Sequence, residues 1–139
     1  MNDLDEVDDK IIKILRANAR ASLSSIAKEL GISKTAVKKR IDRLVREGII
    51  SKFTIELSAR AEVKALIFIK TTAKVRTAET ADIISKLPYV DKVYEVAGDY
   101  DLVALVSAPT VEVLNDAVDK IREIQTVTST VTVMVLKSY

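Results

Sequence analysis

The spacing of hydrophobic positions changes halfway along the chain. In the first half, Val7, Ile11, Ile14 and Leu15 recur at i, i+4, i+7 and i+8, which is one face of a helix. Asp5 stands where it can cap the start. Asp8 and Asp9 fall in the first turn, where the helix dipole favours negative charge. A second helix is predicted from a Ser24 cap, with Ile26, Ala27 and Leu30 inward and Gly31 as its end. Ser33 caps a third, whose inner face is Val37, Ile41, Leu44 and Val45 and which Gly48 closes. The stretch IISKFTIEL then alternates well enough to predict a short strand, leading out through Ser58, Ala59 and Arg60.

From about residue 63 the β-branched and aromatic content rises. VKALIFIKTT reads as a strand, and Thr77 starts a helix that Pro88 stops. VDKVYEVA is a strand, a turn at Gly98 follows, and DLVALVSA is the next strand. Pro109 and Thr110 open a helix with Val111, Leu114, Ala117, Val118 and Ile121 inward, and VTSTVTVMVL is the last strand. The order β-α-β-β-α-β predicts an antiparallel, ferredoxin-like sheet with both helices on one face. The expected class is therefore α+β: a helix-turn-helix domain over 1–50, a hinge strand over 51–62, and a βαββαβ domain over 63–139.

The strands are apolar on both faces. Leu66 and Phe68 point one way and Ile67 and Ile69 the other; Leu102, Ala104 and Val106 oppose Val103 and Leu105; Val131, Val133 and Val135 oppose Met134 and Leu136. Two helices cover one side only. A second copy of the same sheet is the simplest cover for the other, so a homodimer is expected.

Composition narrows the chemistry. The 139 residues include no Cys and no His, which excludes disulfides, zinc–thiolate sites and Cys/His nucleophile pairs. No nucleophile–base pair, metal cluster or phosphate loop is visible, so no catalytic residue, cofactor or metal ligand is assigned and an enzyme is not expected. The acidic start, MNDLDEVDDK, is unlike a signal peptide, and the longest run without charge, Ile124 to Leu136, is too short and too polar to span a bilayer. A soluble cytoplasmic protein is the plain reading. The scarcity of Asn and Gln beside plentiful charge hints at a heat-adapted source.

Charge is uneven. Residues 1–60 hold 13 Lys/Arg against 9 Asp/Glu, net +4, whereas residues 61–139 are net −2; residues 34–46 alone carry six basic side chains and one acid. Within SSIAKELGISKTAVKKRIDRLVR, residues 24–46, a helix, a Gly turn and a capped basic helix form a helix-turn-helix pattern. Lys34, Thr35, Lys38 and Lys39, near the start of that helix, are candidates to reach base edges in the major groove. Arg40, Arg43 and Arg46 lie farther along and suit phosphates, and the Ser33 end offers backbone N–H groups to one. A basic helix by itself is better read as a solvated charged face on a three-helix bundle. The turn, the cap, the local charge and the expected dimer together favour double-stranded DNA with a pseudo-palindromic site.

Residues 4–50, LDEVDDKIIKIL through REGII, resemble the opening of the Lrp/AsnC (feast/famine) transcription regulators: L-D-x-x-D and an Ile/Leu pair, D/N-A-R, an E-L-G-type turn, and R-I-x-x-L…G-I-I. The second half resembles their regulatory (RAM) domain. The resemblance implies a DNA-binding regulator that dimerises through its sheets, assembles further into tetramers or octamers, and answers to a small amino acid. It also bears on AGDYD. By itself Gly98-Asp99-Tyr100-Asp101 is either a hairpin turn stabilised by Asp or a ligand cradle, with a carboxylate for an ammonium and turn N–H groups for a carboxylate. The family's G-x-x-D hairpin lies here, near its effector site at contacts between dimers. Thr130 and Thr132 match the family's V-x-R-T-x-T strand. Departures are Ala97 for the usual Thr, Ser129 for Arg, Thr126 for Gly, and Lys34 where many members have Pro. A metabolite-binding module without DNA function is the competing reading; the basic third helix argues against it.

Overall fold

The computed structural model of the chain describes residues 4–58 and 61–139. They fall into two units, Met1–Glu56 and Leu57–Tyr139.

In the first unit, helix α1 spans Glu6–Ala17, α2 Leu23–Leu30 and α3 Lys34–Arg46. Asp5 and Asp8 start α1 reciprocally. The Asp5 carboxylate accepts the Asp8 backbone N–H at 2.8 Å, and the Asp8 carboxylate accepts the Asp5 N–H at 3.2 Å. This satisfies two of the donors that a helix start leaves unpaired. The cap of α2 is Ser22, not Ser24: its hydroxyl accepts the Ser25 N–H at 3.0 Å. With the cap at Ser22 the helix starts two residues earlier than a Ser24 cap would allow, which brings Leu23 onto the same face as Ile26 and Ala27, and all three join the core. Gly31 ends α2 in the left-handed region at φ 67°. Ser33 caps α3 through the Ala36 N–H at 3.1 Å, as expected.

Ile11, Ile26, Ala27, Val37 and Leu44 form the buried centre, with Val7, Ile14, Leu15, Leu30 and Ile41 packed around it. Val45, expected inside, is 44% exposed. Adjacent helical residues point about 100° apart, and Leu44 takes the core position.

The strand expected over IISKFTIEL does not form. Residues 51–58 have no regular structure, and Phe53, Ile55 and Leu57 are exposed. A strand exists only as part of a ladder, and no described segment pairs with this one. Ala59 and Arg60 lie outside the described residues.

In the second unit the order is β1 (Val63–Thr71), α4 (Thr77–Ser85), β2 (Val90–Glu95), β3 (Leu102–Ala108), α5 (Val111–Arg122) and β4 (Val127–Met134). The strands form one antiparallel sheet in the order β2-β3-β1-β4. Ala65, Ile67, Ile69, Leu102, Ala104 and Val106 line one face and are buried against Ile84, Leu114, Ala117, Val118 and Ile121 of the two helices. Val111 is half exposed at the start of α5; Val113 packs on the core instead.

Cross-strand partners share a face, so the register settles the other side. Phe68 lies between Val103 and Val131, and Leu66 between Leu105 and Val133. Val131 and Val133 are 46% and 45% exposed, and no helix of the unit covers this face.

Candidate DNA-binding helix and effector hairpin

Helix α3 turns Val37 and Leu44 inward and leaves Ser33, Lys34, Thr35, Lys38, Lys39 and Arg46 exposed. Thr35, Lys39, Asp42 and Arg46 follow one another at i, i+4, i+7 and i+11, a single stripe opposite the core. Ion pairing divides the six basic residues evenly. Lys38 pairs with Asp42 at 2.9 Å, one turn along the same exposed face. Lys34, Lys39 and Arg46 make no ion pair among the described residues.

Arg40 and Arg43 have partners on α1. Arg40 Nη1 donates to Asp5 Oδ2 at 2.7 Å and to Asp8 Oδ1 at 2.8 Å, and Arg43 Nη2 donates to Asp8 Oδ2. The Asp8 side chain has no exposed surface, while the arginine side chains are 30% and 34% exposed. Burial pushes the Asp8 carboxyl up, but the hydrogen bonds from Arg40 and Arg43 outweigh it and hold the group below its ordinary 3.8. The Asp5 carboxyl is likewise held down, first by the Asp8 backbone N–H and then by Arg40. Arg40 is raised by Asp5 and Asp8 in turn. Two acids that the sequence assigns to a cap and a dipole thus also clamp α1 to α3. No spacing rule reveals this, because the partners are more than thirty residues apart.

At the other site, β2 and β3 are joined by the Gly98 hairpin. Gly98 has φ 137°, a conformation side chains rarely adopt, and no heavy atom lies within 4 Å of the place a Cβ would take. Its glycine is therefore required by the backbone rather than by crowding. Asp101 is bonded inward: its Oδ2 accepts the Thr71 backbone N–H at 2.7 Å and the Thr71 hydroxyl at 3.3 Å, and its own N–H bonds Ile69 O at 3.0 Å. Tyr100 stacks on Phe68 with ring centroids 5.3 Å apart, and Lys70 Nζ lies 5.6 Å from the tyrosine ring. Asp99 is exposed and makes no ion pair among the described residues.

Thr130 and Thr132 pair with Ile69 and Ile67, so they lie on the helix side of the sheet, whereas Tyr100 stacks toward the uncovered side. One copy of the chain does not bring these six residues into one pocket. The Thr130 hydroxyl accepts from Arg122 Nε at 3.0 Å, beside an open cleft of about 250 Å³ lined by Arg122, Val127, Thr128, Ser129 and Thr130. Arg122 comes from α5, outside any motif in the sequence. The Thr132 hydroxyl is buried without a hydrogen-bond partner.

Comparison with known proteins agrees with both halves. Residues 4–51 match the model of winged helix-turn-helix DNA-binding domains, and residues 64–139 that of the Lrp/AsnC ligand binding domain. The chain is 43% identical over 137 residues to the HTH-type transcriptional regulator LysM of Sulfurisphaera tokodaii, covering 99% of this chain and 98% of that one. It is 37% identical over 139 residues to the HTH-type transcriptional regulator FL11 of Pyrococcus horikoshii, covering 98% and 91%. The crystal structure of MtbAldR superposes with a TM-score of 0.86 at 26% identity, over 98% of this chain and 93% of that one. The structure of E. coli AsnC does so with a TM-score of 0.73 at 25%, over 99% and 95%. A DNA-binding helix-turn-helix unit followed by a ligand-binding βαββαβ unit defines a transcription regulator. The chain belongs to the Lrp/AsnC family of such regulators.

Proposed function

We propose that the chain acts in the cytoplasm as a sequence-specific regulator, without enzymatic activity, that binds a pseudo-palindromic operator as a homodimer or a larger even assembly and responds to a small amino acid. The observation that carries this reading is the pairing of an exposed basic α3 with an apolar sheet face left uncovered in a single copy. Sheet-to-sheet packing removes that face from water and carries two α3 helices together, as a two-fold operator requires. Lys34, Thr35, Lys38 and Lys39 approach base edges, Arg46 and the Ser33 end approach phosphates, and Arg40 and Arg43 flank them.

The effector sits at the Gly98 hairpin. Asp99 offers a carboxylate to its ammonium, and the open turn offers N–H groups to its carboxylate. Thr130 and Thr132, lying on the other side of the sheet, join such a site only where copies of the chain meet. Footprinting on duplex DNA from the chain's own promoter region, with and without each of the twenty amino acids, tests the reading. One protected two-fold site whose occupancy an amino acid changes is the expected result. Uniform protection, indifferent to sequence, would defeat it.

A further inference from the structure

The basic face of α3 is half neutralised by acids of the same unit, and the way this is done points to a role for Asp8 beyond holding helices together. A residue needed only for packing would be apolar at a position with no exposed surface. Asp8 instead places a buried carboxylate against two arginines of α3 at once, and Asp5 adds a second carboxylate to Arg40. Two acids and two arginines make a cluster with no net charge. It lies beside Lys39 in an open groove lined by Asp5, Ala36, Lys39, Arg40 and Arg43. The arginine side chains remain about one-third exposed at this edge, and each has more donors than the carboxylates occupy.

We infer that Asp8 is a specificity-determining positioning residue, which withholds Arg40 and Arg43 from indiscriminate phosphate contact. The inference rests on α3 being the DNA-binding helix. Contacts to phosphate raise affinity for every duplex alike, whereas base contacts select among them. With two of its six basic residues held by α1 and a third, Lys38, paired with Asp42, the helix offers DNA a weakened general attraction. The site-specific contacts then account for a larger share of binding.

The test is the salt dependence of binding by the full-length chain to its own protected site and to an unrelated duplex of equal length. Each arginine freed to meet a phosphate steepens the plot of log K against log salt by about 0.9. Asp8→Asn is expected to bind the unrelated duplex more tightly and to steepen its slope by about 0.9 per protomer, because Arg43 loses its partner while Asp5 still holds Arg40. Adding Arg43→Gln to it reverses that gain. Far-UV circular dichroism monitors folding. Should Asp8→Asn fail to fold, Arg43→Gln alone decides: an arginine that Asp8 withholds from phosphate leaves the wild-type slope unchanged when it is removed, whereas one already on a phosphate flattens it by about 0.9 per protomer. A folded Asp8→Asn protein with the wild-type slope, or an Arg43→Gln protein with a flattened one, overturns the inference and leaves the DNA-binding reading standing. A wild-type chain that prefers no duplex overturns both.

Discussion

The carboxylate of Asp101 accepts the backbone N–H of Thr71 at 2.7 Å. It does so where β1 ends and its register against β4 slips between Lys70 and Thr71. The bond ties the β2–β3 hairpin to the end of β1, the neighbouring inner strand of the sheet. Asp101 therefore has a structural duty, whereas Asp99, two residues earlier, has none visible. Asp101→Ala strips a half-buried N–H of its partner and is expected to destabilise the second unit by about 1–3 kcal/mol. Urea unfolding gives the size of the loss, and faster hydrogen exchange at the Thr71 amide locates it. An unchanged Thr71 amide would refute the assignment.

Asp99→Ala should separate ligand binding from folding. With the side chain exposed, the stability change is expected within about 0.5 kcal/mol. On the proposed reading, an amino acid that raises the melting temperature of the wild type should not raise that of the variant. If the rise persists, the ammonium partner is another group.

Leu105, on the uncovered face opposite Leu66, tests assembly. Leu105→Glu puts a charge where an apolar interface is proposed, at a cost too large for association to survive. Light scattering should report a single copy at concentrations where the wild type is at least a dimer, with the circular dichroism of the fold retained. A wild-type oligomer size in the variant would mean that copies meet elsewhere.

Lys39 is exposed, makes no ion pair among the described residues, and lies in the middle of the outward stripe of α3. Lys39→Gln is expected to flatten the salt dependence of DNA binding by about 0.9 per protomer if the lysine meets a phosphate. If it reads a base instead, the loss falls on the specific site alone, by about 1–3 kcal/mol. Equal affinity on both duplexes before and after the change would remove Lys39 from the interface.

Acid should loosen the first unit through Asp8. Its carboxyl titrates below 3.8 in the folded chain, so the unfolded chain binds the proton more readily. The stability it supplies is full above the unfolded value, near pH 4, and is lost as pH falls through the lower folded value. Helical signal followed between pH 6 and pH 2 should show unfolding set in below about pH 4. Asp8→Asn, already lacking the carboxylate, should lose less stability over that window. A wild-type curve superimposable on that of Asp8→Asn would contradict the assignment.

Much of this architecture is legible in residue order because its causes are local. Helix periodicity, the Asp5 and Ser33 caps, the glycines at 31 and 98, and the doubled apolar faces of the strands each depend on neighbours a few positions away. Local rules also misjudged where several residues met the same criterion. Ser22 and Ser24 are equally good caps, and only packing of Leu23 chose between them. Val45 and Leu44 compete for one core position. The alternation of IISKFTIEL satisfies a strand's pattern without supplying the partner that a ladder needs.

Chain order alone determined the two-part plan, its family and the basic character of α3. Tertiary structure decided what that basicity amounts to, by folding Asp5 and Asp8 against Arg40 and Arg43. It decided that Asp101 braces the hairpin while Asp99 faces solvent, and that Thr130 and Tyr100 lie toward opposite sides of the sheet. The physical reason is the same in each case. Charge and periodicity belong to a residue and its near neighbours, but whether a charge is paired depends on groups that only folding brings within 3 or 4 Å.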